Sequence, residues 1–154
     1  MAAFFFDSSA RVKYYVNEVG SNWVESLLDA TPPNEITIAQ ITGVEIAAAL
    51  ARRVSTEMAS APDAAAAIQL FRGDFQAKFD VLPVNAQRIE EAMNLAELHR
   101  LRGYDAMHWA FAVAFEAQLT ARGIGPLTLI SADVELNQAA QAEGLLTDDP
   151  NLHL

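Results

Sequence analysis

The sequence predicts an α/β protein: a three-layer α/β/α sandwich with a mostly parallel central sheet and a protruding helical hairpin. Short apolar runs alternate with longer helical patterns along the chain, and the helical segments outnumber the strands. With 154 residues, 52% of them apolar, the chain can bury the core of one domain. We expect that domain over residues 1–147, followed by a polar and loosely held C-terminal tail over 148–154.

The predicted strands are short apolar runs. Phe4, Phe5 and Phe6 make the first run apolar on both faces, as in a parallel strand that helices cover on both sides. A Pro-Pro turn over 31–34 precedes the second strand. The predicted strands are 2–6, 35–38, 79–84 and 126–131, with 145–147 as a short edge strand.

Start and stop signals set the limits of the predicted helices. Asp7 opens a helix-start signal, Pro62 and Asp63 fit the first turn of another helix, and Gly103 separates two more. The protruding hairpin is the region 53–79. The predicted helices are 10–18, 21–30, a segment that carries Glu45 and continues over 46–53, 61–78, 85 or 86 to 101, 105–121 and 134–142.

Composition excludes several classes of protein. The chain has no cysteine, which excludes disulfides, thiolate zinc sites and a cysteine nucleophile. The N-terminal apolar run lacks a preceding basic region and ends at Asp7, unlike a signal peptide. The apolar stretch 109–115 is too short to span a bilayer. We therefore expect a soluble cytoplasmic protein with no membrane partner.

The net charge of −10 argues against a broad, non-specific surface for nucleic acids, which is normally basic. It leaves open a nuclease whose carboxylates gather around a metal ion. Arg11 and Lys13 follow Asp7 closely, and Arg102 precedes Asp105. We interpret these three basic residues as candidate contacts to a substrate phosphate. The alternative is that they lie on solvated helix faces.

Four acidic residues stand where a strand or turn is followed by a helix: Asp7, Glu45, Asp105 and Asp133. The carboxyl ends of parallel strands meet at one edge of a sheet, so these side chains can converge there. Each could instead cap a helix, and Thr42 with Glu45 matches a capping box. In a chain with only 19% charged residues, four such junctions favour a shared site. Mutual repulsion favours a bound cation, and oxygen ligands favour Mg²⁺ or Mn²⁺ over zinc.

Other common catalytic motifs are missing from the sequence. It contains no Gly-rich phosphate loop, nucleophile elbow or dinucleotide fingerprint. The histidines His99, His108 and His153 lack the spacing of a zinc site. His108 follows Asp105 by three residues on an apolar helix, so we expect it to be a hydrogen-bonded core or ligand-supporting group.

Four short motifs, taken in order, are similar to those of a known family. The motifs are Phe6-Asp7-Ser8-Ser9-Ala10, Ile41-Thr42-Gly43-Val44-Glu45, Arg102-Gly103-Tyr104-Asp105-Ala106-x-His108 and Ile130-Ser131-Ala132-Asp133. Their order and spacing resemble the PIN-domain family, specifically the VapC-type toxins of bacterial toxin–antitoxin pairs. The resemblance covers residues 3–145.

The resemblance implies a metal-dependent endoribonuclease that a cognate antitoxin restrains and that is usually a homodimer. Ser9 and Ser131, together with Thr42, would orient carboxylates or water. The reaction would be in-line hydrolysis of an RNA phosphodiester bond. The acidic quartet that would bind Mg²⁺ or Mn²⁺ and carry catalysis consists of Asp7, Glu45, Asp105 and Asp133.

Two other functions stay open at this point. A catalytically silent binding module would use the acids as caps and an apolar surface for a partner. A metal-dependent phosphatase would act on a small substrate and leave long RNA intact. The segment 59–75 carries an apolar stripe of Ile68, Leu70, Phe71 and Phe75 that could receive an antitoxin helix or another subunit, or could pack on the protein's own sheet.

Overall fold

The computed structural model describes residues 2–153 and contains one five-stranded sheet with the order β3-β2-β1-β4-β5. All four strand pairings are parallel, as predicted. Phe4 in the central strand lies opposite Ile36 on one side and Thr128 on the other. The strands are β1 (Ala3–Phe6), β2 (Glu35–Ala39), β3 (Asp80–Leu82), β4 (Leu127–Ile130) and β5 (Leu146–Asp148).

Seven α-helices connect and cover these strands within residues 2–153. Two short 3₁₀ helices lie over Val12–Tyr14 and Pro150–Leu152. No helix in this described part is long and apolar enough to cross a membrane. The α-helices are α1 (Ser8–Arg11), α2 (Ser21–Leu28), α3 (Thr42–Ser55), α4 (Ala61–Ala77), α5 (Ala86–His99), α6 (Gly103–Ala121) and α7 (Val134–Ala142).

The sheet separates two apolar layers, which confirms the predicted three-layer architecture. Phe5 packs in the layer that contains Trp109 and Phe115 of α6. Phe6, its neighbour in β1, belongs to the opposite layer with Val24 of α2. Successive side chains of a strand point to opposite faces, so the aromatic run supplies both layers at once.

The predicted hairpin corresponds to α3 and α4, whose apolar stripe packs inside the domain. Phe71 is 2% exposed and joins Ile46 and Leu50 of α3 in a third cluster. Phe75 is partly buried, and Leu70 is exposed. Of the two interpretations of the stripe over 59–75, a partner surface or packing within the protein, the structure therefore favours internal packing for most of it, against α3.

The first helix starts earlier than predicted and is shorter. The Asp7 carboxylate accepts a hydrogen bond from the Ala10 amide, so α1 begins at Ser8. The chain then tightens into the 3₁₀ turn and is anchored by Lys13, whose Nζ donates to Glu18 Oε1 and to the Val19 carbonyl.

The segment after β5 packs on the domain, contrary to the predicted loose tail. Pro150 is buried, and the His153 ring stacks on Trp23 with a centroid distance of 3.9 Å and an interplanar angle of 1°. Lys13 Nζ donates to Asn151 Oδ1 at 2.9 Å. Residue 154 lies outside the described residues. The polar composition of this segment gave no indication of these contacts with distant residues.

Candidate active site

The fold brings the four acidic residues toward one edge of the sheet. Asp7 follows β1 directly and Asp133 comes three residues after β4, while Glu45 lies in the first turn of α3, which follows β2. Asp105 lies in the first turn of α6. The charges of Asp7 and Asp133 both act on Asp105, and Glu45 lines one cavity with it.

Asp7 is the most enclosed acid of the group. Its side chain is buried and accepts hydrogen bonds from the hydroxyls of Ser9 and Ser131 and from the Ala10 amide, at 2.8–2.9 Å. Burial raises the pKa of the Asp7 carboxyl, although the positive charge of His108 and these hydrogen bonds oppose the rise. The carboxylate is therefore held rigidly in a place that favours a nearby cation.

The two serines connect the ends of β1 and β4. Ser9 Oγ accepts from the Ala132 amide at 2.9 Å, and Ser131 Oγ accepts from the Asp133 amide at 3.0 Å. Both hydroxyls donate to Asp7, so one network fixes both strand ends. Their predicted task of orienting carboxylates agrees with this geometry and stays a prediction.

Asn137 is a member of this network that the sequence motifs did not single out. Its Nδ2 donates to the Ser131 carbonyl at 2.8 Å from the first turns of α7. Its position four residues after Asp133 places both on the same face of the helix end, which is the only sequence signal that could have indicated it.

Asp105 is half-buried and lies among other negative charges. Partial burial and the negative charges of Asp133 and Asp7 raise the pKa of its carboxyl to about 6, against weaker opposing effects of His108 and Arg102. Burial is the larger cause of this shift, and the crowding of acids adds to it; shifts with such causes are common at functional sites.

Glu45 forms an ion pair with His108 rather than a capping box. Its Oε2 lies 2.5 Å from Nε2 of the buried His108, and Ile41 stands at the helix cap without a side-chain hydrogen bond. Burial alone lowers the pKa of His108, but the hydrogen bond to Glu45 and the charges of Glu45, Asp7 and Asp105 outweigh it and raise that pKa. His108 is thus a hydrogen-bonded core group, as predicted.

Asp133 serves as the N-cap of α7. Its Oδ1 accepts from the Leu136 amide at 2.9 Å, so the capping interpretation is correct for this residue and for Asp7. One capping bond uses only part of a carboxylate's accepting capacity, so Asp133 keeps oxygen free for a metal ion. At Asp7 each carboxylate oxygen already accepts two hydrogen bonds, so a metal ion there would have to share these oxygens with the serine and amide donors.

The residues present fit a divalent cation in chemistry and charge. The donors are hard carboxylate oxygens, and the negative charges of Asp133 and Asp7 add to the burial that raises the pKa of Asp105, a repulsion that a nearby cation would relieve. Within residues 2–153, no group of three or more His, Asp or Glu side chains is already arranged around an ion position. The metal and its ligand set therefore stay predictions.

Two of the three predicted phosphate contacts are buried, which argues against their contact with a substrate. Arg11 is 1% exposed and lies among the rings of Tyr14, Tyr15 and Phe79, with Cζ 4.2 Å from the Phe79 centroid. Lys13 is 5% exposed and donates to groups inside the domain. Arg11 is held inside the domain by stacking on aromatic rings, and Lys13 by its three hydrogen-bond acceptors.

Arg102 and Thr42 are the remaining predicted residues. Arg102 is exposed and lines a cavity together with Asp105, so its predicted contact with substrate stays open. Thr42 is buried, and its hydroxyl has no hydrogen-bond partner among residues 2–153. No side-chain hydrogen bond in this part of the chain links Thr42 to the acids.

Comparison with known proteins identifies the family. Residues 4–142 match the family model of the PIN domain. The chain belongs to the PIN-domain family. This confirms the resemblance seen in the four motifs, and the match includes all four acidic positions of this PIN domain. No curated protein matches the sequence.

Solved structures share the fold of this PIN domain. VapC20 from Mycobacterium tuberculosis, described as a sarcin-ricin loop cleaving toxin, superposes with a TM-score of 0.63 at 18% identity, covering 94% of this chain and 97% of that one. VapBC-1 from nontypeable Haemophilus influenzae superposes with a TM-score of 0.57 at 16% identity, covering 97% of this chain and 98% of that one. PAE2754 from Pyrobaculum aerophilum superposes with a TM-score of 0.56 at 20% identity, covering 95% of this chain and 89% of that one. At such identities the likeness establishes the fold alone.

Proposed function

We propose that this PIN domain is a metal-dependent endoribonuclease that acts as the VapC-type toxin of a toxin–antitoxin pair. The observation that carries the proposal is the crowding of Asp7, Asp105 and Asp133 at the carboxyl edge of the sheet, where burial and mutual repulsion raise the pKa of Asp105 to about 6. A site built in this way is stabilised by a cation and suits the chemistry of a phosphate diester.

The protein's own groups prepare this site. The hydroxyls of Ser9 and Ser131 hold the Asp7 carboxylate in one orientation, and His108 holds Glu45. Asp105 stands at the open side of the group, where a substrate can approach, and Arg102 beside it can contact a phosphate. A Mg²⁺ or Mn²⁺ bound by Asp7, Asp105, Asp133 and Glu45 would supply charge stabilisation and lower the pKa of a water molecule.

The partner of the proposed toxin is an antitoxin protein. Support comes from VapBC-1, a structural neighbour whose name denotes a toxin–antitoxin complex. A basic side chain from such a partner would be attracted to the uncompensated carboxylates and would block them. We further propose that the protein is cytoplasmic and forms a homodimer, in keeping with the VapC type.

Cleavage of a structured RNA pool by purified protein tests the proposal. We expect cutting with Mg²⁺ or Mn²⁺, none with EDTA, and none with Asp105→Asn. A parallel assay with a short nucleotide ester distinguishes a nuclease from the phosphatase alternative. Only a phosphatase would cleave the ester and leave the RNA pool intact. Metal-independent cutting, or full activity of Asp105→Asn, contradicts the proposed site.

A catalytically silent binding module is the second candidate function. It is favoured by the lack of a preformed ligand group within residues 2–153 and by the use of Glu45 in an ion pair. Folded, antitoxin-free protein that neither cuts RNA nor binds Mn²⁺ would support this candidate over a nuclease.

A further inference from the structure

Two cavities flank the acidic site and share the same wall. The larger, of about 580 Å³, lies between α5 and α6 and is lined mainly by apolar side chains such as Ile89, Met93 and Met107. The other, of about 470 Å³, lies between α1 and α3. Glu45 and Tyr104 line both. Each volume falls in the range of roughly 300–1,000 Å³ that is typical of ligand pockets.

Tyr104 does not contribute to the apolar core of the domain. It is 55% exposed, it belongs to the first turn of α6, and it immediately precedes Asp105. It lines both cavities and belongs to none of the three apolar clusters found among residues 2–153. A large aromatic side chain that is half-exposed beside a candidate active site is more typical of a contact surface than of a core.

Charge supports an RNA strand as the occupant of this surface. Arg102 lines the larger cavity and Arg52 lines the smaller one, so each side of Tyr104 offers one guanidinium. Each cavity also has carboxylates in its wall, Glu45 in both and Asp105 in the larger one, so in a chain of net charge −10 the arginine is the group available to a phosphate of the strand. The apolar lining of the larger cavity suits the face of a base.

We propose that Tyr104 is a stacking platform for a nucleobase next to the scissile phosphate of a single-stranded RNA substrate. The inference rests on the proposed nuclease function and adds the residue that positions the substrate. Proteins recognise unpaired RNA by stacking splayed bases on aromatic rings and arginine planes. One such stack contributes about 1–3 kcal/mol and tolerates different bases.

Two substitutions separate stacking from simple apolar contact. Tyr104→Phe keeps the ring and removes the hydroxyl, whereas Tyr104→Leu keeps an apolar side chain without a ring. We expect KM for the shortest RNA that the wild-type protein cuts to rise about 10-fold in Tyr104→Leu and to stay within about twofold in Tyr104→Phe. Equal KM values in wild type and Tyr104→Leu, or equal losses in both variants, overturn the proposal.

A binding measurement supplies a readout that does not depend on turnover. The same RNA, with 2-aminopurine beside the cleavage position, is added to Asp7→Asn protein with and without Tyr104→Leu. Stacking quenches the probe, so we expect quenching with Tyr104 and its loss with leucine. Unchanged quenching in the leucine variant means that Tyr104 does not stack on the base, and this overturns the inference. A leucine variant that loses only its affinity for the antitoxin overturns it too, because Tyr104 is then a contact to a protein. Absence of RNA cutting by the wild type is a separate result that counts against the nuclease itself.

Discussion

Glu45 Oε2 and His108 Nε2 lie 2.5 Å apart and join the first turn of α3 to the buried interior of α6. The pair places a basic group directly behind the acids, since the charges of Asp7 and Asp105 also act on His108. His108 is 1% exposed, so its charged form depends entirely on these carboxylates.

His108→Phe should destabilise the protein by about 3 kcal/mol, because it leaves the Glu45 carboxylate without its partner in a partly buried place. Urea unfolding measures this change. His153→Phe is the matched control: that histidine also pairs with a carboxylate, at 2.8 Å, but is half-exposed and stacks on Trp23, so we expect less than about 1 kcal/mol. Equal effects of the two variants would contradict the role given to the buried pair.

The same pair should make stability depend on pH. The pKa of His108 is raised in the folded state, so its stabilising contribution is complete below the unfolded value near 6.5 and is lost as the pH rises through the folded pKa. Unfolding free energy measured across that range should therefore fall with rising pH in the wild type and fall less in His108→Phe. Parallel pH profiles would argue against a charged His108.

Asp105→Asn should stabilise the metal-free protein at pH 7. The folded-state pKa of Asp105 is raised to about 6, so ionisation opposes folding as the pH rises from about 4 to 6, and the penalty is complete above that range. Because the side chain is half-exposed, we expect on the order of 1 kcal/mol in EDTA, shrinking as the pH is lowered to about 4.5.

Unfolding in EDTA and in Mn²⁺ checks the Asp105 prediction. Manganese should stabilise the wild type more than Asp105→Asn, because a ligand that binds only the folded state adds to its stability. Asp80→Asn, at an exposed residue at the start of β3, is the control and should change neither value. A variant less stable than the wild type in EDTA would contradict the crowding of charges.

Ser131→Ala should destabilise the fold by about 2 kcal/mol and slow RNA cleavage. The change removes the donor to Asp7 Oδ2 and the acceptor of the Asp133 amide, both buried or partly buried. Thr42→Val is the matched control, since the Thr42 hydroxyl has no partner within residues 2–153. We expect that variant to be as stable and as active as the wild type, in contrast to the sequence-based role of Thr42.

Gly20→Ala should destabilise the protein more than Gly144→Ala. Both glycines have positive φ, +84° and +87°, so alanine costs about 1–2 kcal/mol at either place. At Gly20 the added Cβ would also lie 2.2 Å from the Pro150 carbonyl oxygen, whereas at Gly144 nothing lies within 4 Å. Thermal unfolding compares the two. Equal losses of stability in the two variants would show that the C-terminal segment moves aside at little cost and adds little to the stability of the fold.

Local patterns predicted the sheet and the acid positions because both depend on neighbours in sequence. The aromatic run of β1 and the caps at Asp7 and Asp133 are of this kind. Contacts between distant segments could not be predicted in this way. Lys13 meets Asn151 across 138 positions, and Glu45 meets His108 across 63.

Residue type also limits what can be predicted from the sequence, as two places show. Arginine is mostly exposed in proteins, yet Arg11 is buried because three aromatic rings surround it. The apolar stripe of α4 gave no indication of whether a partner or α3 would cover it. Periodicity locates an apolar face but does not identify its neighbour.

RNA cleavage by Asp7→Asn in Mn²⁺, beside wild type and Asp80→Asn, tests the central claim most directly. Asparagine keeps the size of Asp7 and removes its charge, so the variant should stay folded. We expect it to lose cleavage while Asp80→Asn retains the wild-type rate. A folded Asp7→Asn protein that cuts RNA as fast as the wild type would contradict an active site built on these carboxylates.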